Sequence, residues 1–386
     1  MERKHTGIDY TLLFLLFLLM CVSLVAIYSG AGQYFSDDPT YFVVRQLIWY
    51  GIGAVVIVAV MLVDFDLFRN FSIPVYAIGM VLLLAVEFFG VERNGAQRWI
   101  FGIQPSEFMK IFLILALAHL LYKLTKDKQK RTFKEDMVVL GKILLVSLPP
   151  FFLILKQPDL GTALVIGSVI ATMLLMSGIR WRILLSLVGM AIVGVAFLVY
   201  MHEAHFEFFS EYLIEPHQLD RIYGWLDPDS DTSGIGYQLN QAILGIGSGQ
   251  LFGAGFMEGM QTQSDVIPEI HTDFVFTVIG EEFGFLGAMV LLVIYFLLFY
   301  RMIMISLTCN NLYGSYLVAG VVGLLVFQVF QNIAMTIGLM PITGLALPFI
   351  SYGGSALLTN MMAVGIVLNV HYRTKNYMFT SEDTFS

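Results

Sequence analysis

The chain has 386 residues, of which 58% are hydrophobic and 13% charged, a balance that excludes a soluble globular domain and fits a chain that crosses a membrane many times. Its formal net charge of -8 argues against nucleic acid as a partner. Two cysteines and seven scattered histidines offer neither a disulfide framework nor zinc-binding spacing.

Charge-free runs from Tyr10 to Ser36, Gln46 to Val63 and Asn70 to Val86 predict three spans, each near the roughly 20 residues a helix needs to cross a bilayer. The first follows Arg3 and Lys4 and exceeds the apolar core of a signal peptide, about 7 to 15 residues, so it reads as an uncleaved helix. Ile111 to Tyr122 and Ile143 to Leu155 become spans once the polar residues at their ends are included. Leu160 to Ile179, Ile183 to Met201 and Phe283 to Tyr300 add three more. From Met302 to Tyr372 there is no Asp, Glu, Lys or Arg, and Gly338, Pro341, Gly344 and Pro348 break that run into two helices. The pattern predicts an all-α polytopic membrane protein of ten spans, one domain over residues 1–376 with a short tail at 377–386. With the N-terminus inside, inner segments hold 15 Lys and Arg against five outside, which places both termini in the cytoplasm. The basic inner loop from Lys123 to Lys142 suits contact with anionic lipid heads.

The long outer loop, about residues 202–272, carries eleven acidic residues from Glu203 to Glu269 against one basic residue, Arg221. Glu203, Glu207, Glu211 and Glu215 recur every four residues among aromatics, the pattern of a helix lying on the membrane surface. The stretch from Gly234 to Gly255 is glycine-rich but holds no G-x-G-x-x-G, so a dinucleotide fold is not supported.

Four polar stretches carry candidate chemistry. Between spans three and four, Arg98 has a guanidinium that forks onto phosphate oxygens, and Trp99 beside it suits the aromatic belt or a substrate. Pro105 and Ser106 suit a helix start, which puts Glu107 and Lys110 on one face at i and i+3; that pair reads as a structural ion pair or as a substrate contact. Asp159, in Gln157-Pro158-Asp159, reads as the cap of the helix after it. Gly338 to Gly344 and Pro348 to Ser355 read as broken helix at membrane depth, which must be buried in protein or line a polar cavity. Asp273, in Pro268-Glu269-Ile270-His271-Thr272-Asp273-Phe274, is a carboxylate at the lip of an apolar run, either a helix cap or a working group.

Taken together, Gly95 to Trp99, Gln104 to Glu107, Gln157 to Thr162, Pro268 to Phe274, Gly338 to Gly344 and Ser351 to Ser355 resemble the SEDS family of shape, elongation, division and sporulation proteins, in the same order and from the first helix to the last. The forms of Gly95 to Trp99 and His271 to Phe274 resemble the rod-shape branch more than the division branch. One departure is Ala356, where many members carry a second Ser. The resemblance implies a peptidoglycan glycosyltransferase that polymerises lipid II on the outer face of the cytoplasmic membrane, partnered by a class B penicillin-binding protein within the elongation machinery. It implies that Asp273 is the family's essential aspartate and that Trp99, Glu107 and Lys110 are positions on which activity depends. Such a transfer inverts the anomeric centre and needs one general base. Asp273 would be that base, or a ligand of a Mg²⁺ or Mn²⁺ ion on the pyrophosphate; no organic cofactor is expected. Arg98 and Arg45, with Lys110 if it faces the cavity, would lie nearest the pyrophosphate, and Glu107 would position Lys110. A lipid II flippase or a scaffold that recruits a wall synthase are the rival readings.

Overall fold

A computed structural model describes residues 7–31, 40–63, 65–93, 96–100, 102–126, 131–206, 216–231, 234–264 and 266–380. Of the acidic surface helix predicted from Glu203 to Glu215, Glu207, Glu211 and Glu215 lie outside the described residues. The helices are α1 Tyr10–Ala31, α2 Tyr41–Leu62, α3 Phe65–Phe89, α4 Pro105–Thr125, α5 Phe133–Lys156, α6 Leu160–Met176 and α7 Trp181–Ala204, then α8 Pro216–Leu226, α9 Ile235–Ser248, α10 Met260–Gln263, α11 Val275–Glu282, α12 Gly284–Thr308, α13 Leu312–Thr336 and α14 Gly354–Thr380. Between α3 and α4 the chain forms a two-stranded antiparallel hairpin, β1 Val91–Arg93 and β2 Ala96–Trp99.

In lipid a spanning segment must satisfy its own backbone, so the apolar runs become helices. Among the described residues nine helices are long and apolar enough to cross a membrane, and α6, with 17 residues, is shorter. At about 1.5 Å per residue it reaches roughly 26 Å, just under a bilayer's hydrocarbon thickness. The ten predicted spans therefore correspond to nine full-length helices and one short one. Polar residues start several of them as expected. Pro105 opens α4, Thr132 and Glu135 form a capping box on α5, Asp159 caps α6 through the Thr162 amide at 3.2 Å, and Asn311 caps α13 through the Tyr313 amide at 2.9 Å.

Helices α13, α14 and α4 form the centre, and α7 stands at the periphery: 72% of the α14 spanning window is buried, against 6% of that of α7. The glycines between α9 and α10 serve close backbone approach. A side chain at Gly249 would collide with the Gly280 carbonyl of α11, and Gly253 has φ +87 beside the Glu282 carbonyl. In return the Ala254 amide donates to the Glu281 carbonyl at 2.9 Å and the Phe285 amide to the Gln250 carbonyl at 2.9 Å. The buried Glu281 carboxylate accepts from the amides of Gln261 and Thr262, each at 2.8 Å, and pins α10.

The break predicted after α13 spans residues 337–353, and the protein supplies what a helix would have supplied. Trp225 Nε1 donates to the Gly338 carbonyl at 2.8 Å, Asn332 Nδ2 to Leu345 at 2.7 Å, Tyr295 Oη to Pro348 at 2.5 Å, Tyr50 Oη to Phe349, Ser23 Oγ to Ile350 at 2.7 Å and Gln46 Nε2 to Ser351 at 3.3 Å. Of the two readings offered for this segment, burial in protein accounts for most of it: Ile342, Leu345, Leu347, Phe349 and Ile350 all belong to the core. A buried acceptor left without its donor costs about 1–3 kcal/mol. Tyr295→Phe is therefore expected to lower stability by about that amount, read as an earlier midpoint in thermal melts of the detergent-purified protein. Leu185→Ala, on the exposed flank of α7, is expected to leave the midpoint unchanged.

Candidate active site around Asp273

The turn before α11 is held from both sides by apolar anchors. Ile270 and Phe274 are buried with Leu239, Ala242, Ile267, Val278 and Ile342 in a small core beneath α9, which leaves Asp273 on the other side of the turn. Its main chain is tied to the broken segment. Asn332 Nδ2 donates to the Asp273 carbonyl at 2.8 Å as well as to that of Leu345, Ser351 Oγ donates to the Thr272 carbonyl at 2.5 Å, and the Tyr352 amide donates to the His271 carbonyl at 3.0 Å. The helix-cap reading of Asp273 fails: the residue at the cap of α11 is Phe274, and no side chain caps that helix.

The Asp273 carboxylate is half-buried, and among the described residues no donor hydrogen-bonds to it. Gly344, exposed and with φ +72, lies against it, and a methyl group there would come to 3.3 Å from Asp273 Oδ2. Burial and the neighbouring charge of Glu269 push the Asp273 carboxyl up to about 6, while Arg221 and Arg98 pull it down. Burial is the larger effect because a charged group loses hydration there and two cations at a distance restore only part of it. His271, packed on Phe42 with ring centroids 4.4 Å apart, is pushed down to about 4 by burial and is neutral at physiological pH.

Arg98 and Asp273 belong to one electrostatic cluster, and Arg98 is anchored through Asp159. Its Nη2 donates to the Pro158 carbonyl at 2.6 Å and its Nη1 lies 3.6 Å from Asp159 Oδ1. Asp159 also accepts from Gln104 Nε2 at 2.9 Å and from Ser106 Oγ at 3.2 Å. The residue expected as a simple cap thus joins β2, the start of α4 and the start of α6. Arg98 Nε is buried and has no hydrogen-bond partner among the described residues. Trp99 follows on β2, half-buried. Glu107 and Lys110 form the expected i, i+3 ion pair, with Glu107 Oε2 and Lys110 Nζ 2.7 Å apart. Lys110 is fully buried in α4, so its charge is met by Glu107 and is not presented to the space beside Asp273. Arg45 is exposed on α2, its guanidinium 4.8 Å from the Tyr41 ring centroid.

Two residues missed in the sequence complete the arrangement. Arg221, on α8, feels both Asp273 and Arg98, and its Nη1 lies 3.4 Å from the Ile342 carbonyl; its signal was its isolation as the single cation of an acidic loop. Asn332, on α13, gave no signal beyond being a polar residue within an uncharged run. Among the described residues no three His, Cys, Asp or Glu side chains are grouped to hold a metal ion. Among the described residues a cage of protein ligands is thus not formed, whereas an ion held mainly by substrate phosphates would need only one or two carboxylates, such as Asp273 and the neighbouring Glu269.

Comparison with known proteins bears on the same regions. The family described as cell cycle protein, that of FtsW, RodA and SpoVE, matches residues 10–376. A probable peptidoglycan glycosyltransferase FtsW of Trichlorobacter lovleyi is 36% identical over 386 residues, covering 97% of this chain and 96% of its own. The peptidoglycan glycosyltransferase MrdB of Escherichia coli K12 is 34% identical, covering 97% of this chain and 95% of its own. Among solved structures, a chain from work on the structural coordination of polymerization and crosslinking by a peptidoglycan synthase complex superimposes with a TM-score of 0.78 at 29% identity, over 95% of this chain and 98% of that one. With the match running through the helical bundle, the broken segment and the Asp273 turn, this multi-pass membrane protein belongs to the FtsW, RodA and SpoVE family of cell cycle proteins, the SEDS family that its motifs resemble.

Proposed function

We propose that this chain is a peptidoglycan glycosyltransferase that polymerises lipid II at the outer face of the cytoplasmic membrane, with Asp273 as general base. The observation that carries the reading is the Asp273 carboxylate itself: half-buried, without a donor among the described residues, beside exposed Gly344 and in the field of Arg221 and Arg98. A carboxyl near 6 is mostly ionised at neutral pH yet basic enough to take a proton in a transition state, the range in which a general base works best.

In the proposed reaction the acceptor sugar's 4-hydroxyl attacks the anomeric carbon of the donor opposite its pyrophosphate. The new carbon–oxygen bond forms as the bond to pyrophosphate breaks, the hydroxyl proton passes to the Asp273 carboxylate, and undecaprenyl pyrophosphate leaves with the bonding electron pair. Arg98 and Arg221 meet the charge that develops on it. Glu107 and Lys110 stabilise the first turn of α4, from which Gln104 and Ser106 hold Asp159 and through it Arg98. Mg²⁺ or Mn²⁺, held by the phosphate oxygens with Asp273 or Glu269, would supply further neutralisation of the leaving group. The role in elongation is assigned on the forms of the Gly95 to Trp99 and His271 to Phe274 motifs, and a class B penicillin-binding protein is the proposed partner that crosslinks the glycan.

The test is glycan formation from labelled lipid II by the purified protein with its cognate penicillin-binding protein. Wild type is expected to make polymer, and Asp273→Asn to lose turnover by about two to four orders of magnitude while still binding lipid II. Polymer from the variant at the wild-type rate removes Asp273 from the role, and transport of lipid II without polymer from a folded wild-type complex favours the flippase.

The ionised carboxylate is the active form, so activity falls as pH drops through about 6. Arg221 lowers the Asp273 pKa and Glu269 raises it. Arg221→Gln is therefore expected to move the acidic limb of the pH–rate profile upward, and Glu269→Gln to move it downward. Shifts in the same direction for both variants contradict the assignment.

A further inference from the structure

The segment from Ile342 to Leu345 runs between the parts of the Asp273 cluster, and each of its residues is fixed by a different neighbour. Ile342, Thr343 and Leu345 are buried, and Gly344 between them is exposed. Arg221 Nη1 of α8 donates to the Ile342 carbonyl at 3.4 Å. From α13, Gln331 Nε2 donates to Thr343 Oγ1 at 3.4 Å and Asn332 Nδ2 to the Leu345 carbonyl at 2.7 Å. Gly344 meets the Asp273 carboxylate.

The same segment lies against the start of α6. A methyl group at Gly161 would come to 2.9 Å from the Thr343 carbonyl oxygen and to 2.8 Å from Leu345 Cγ, well inside the roughly 3.5–4.0 Å of an ordinary contact between carbon atoms. The first of these neighbours is backbone and the second is a core side chain, so neither gives way without moving the segment or the helix. Two residues before Gly161 stands Asp159, which accepts from the Thr162 amide at 3.2 Å and lies 3.6 Å from Arg98 Nη1. The approach at Gly161 therefore fixes Arg98, carried by the start of α6, relative to Arg221 and Asp273, carried by the segment.

We propose that Gly161 is a positioning residue: its bare Cα sets the spacing between Arg98 and Arg221, and that spacing fits the pyrophosphate of a lipid substrate rather than a single phosphate. This role rests on the reading of the cluster as a site for a lipid pyrophosphate. A guanidinium makes its charge-assisted hydrogen bonds at about 2.7–2.9 Å from a phosphate oxygen. Two guanidiniums on separately anchored elements thus select an anion by its length. A displacement of one of them costs one end of that grip and leaves the other intact.

The experiment measures the affinities of the full-length protein for undecaprenyl pyrophosphate and undecaprenyl phosphate by native mass spectrometry. It compares wild type with Gly161→Ala, Arg98→Gln and the two combined. Gly167→Ala is the control, since a methyl group at that position of α6 meets nothing within 4 Å. Gly161→Ala is expected to reduce the preference for pyrophosphate about fivefold, to add little in the Arg98→Gln background, and Gly167→Ala to match wild type. Leu345→Ala combined with Gly161→Ala removes the nearer contact and is expected to recover part of the preference; should Gly161→Ala not fold, this variant carries the same comparison. An unchanged preference in Gly161→Ala, or a loss of equal size with and without Arg98, would overturn the role while leaving the pyrophosphate site standing. Equal affinity of wild type for the two lipids would remove that site, and the role of Gly161 with it.

Discussion

A stretch of backbone that leaves the helix inside a membrane bundle has to find donors for its carbonyls, and in this protein that requirement organises the end that holds Asp273. Between α13 and α14 the chain abandons helical hydrogen bonding, and side chains from α1, α2, α8, α12 and α13 replace it. Ser23, Gln46, Tyr295 and Asn332 are buried, so their donors stand where an unpaired carbonyl would otherwise lose its hydration. One of them, Asn332, divides its amide between Leu345 and Asp273. The position of the Asp273 turn is thus a consequence of how the broken segment is satisfied.

The second consequence is electrostatic. A carboxylate placed there loses hydration and is pushed toward its neutral form, and the protein offsets this with Arg98 and Arg221 held nearby rather than bonded to it. A direct ion pair would hold the carboxyl deprotonated but spend the oxygens on the partner. Distance leaves them open. The cost is transferred to Asp159, which gathers Arg98, Gln104, Ser106 and the Thr162 amide and so orders three elements around one buried charge.

Much of this was legible in the sequence because it depends on local chemistry. Charge-free runs mark the spans, Pro105 marks a helix start, and the spacing of Glu107 and Lys110 leads directly to their ion pair. Gly338, Pro341, Gly344 and Pro348 mark the broken segment because they disrupt a helix wherever they stand. What the sequence conceals depends on contacts between distant residues. Asn332 looks like any polar residue in an apolar run until Leu345 and Asp273 arrive beside it, and Arg221 looks like a stray cation until α8 folds onto Ile342. Arg45 and Lys110 stand out in the sequence by charge alone, and only the fold shows their neighbours: Tyr41 for the first and Glu107 for the second. The hairpin that carries Arg98 and Trp99 was hidden by its brevity, and the isolation of α7 by a composition that fits lipid and protein neighbours equally well.

If Asp273 takes the proton of the attacking hydroxyl, its carboxylate, which no donor among the described residues occupies, has to meet that hydroxyl directly. A cryo-EM structure of the wild-type protein with the proposed penicillin-binding partner, bound to a growing glycan and an unreactive lipid II analogue, decides this. The acceptor's 4-hydroxyl is expected at about 2.6–3.2 Å from an Asp273 oxygen, with the pyrophosphate toward Arg98 and Arg221. An Asp273 carboxylate bound only to a metal ion on the pyrophosphate, with the acceptor hydroxyl facing another base, would contradict it.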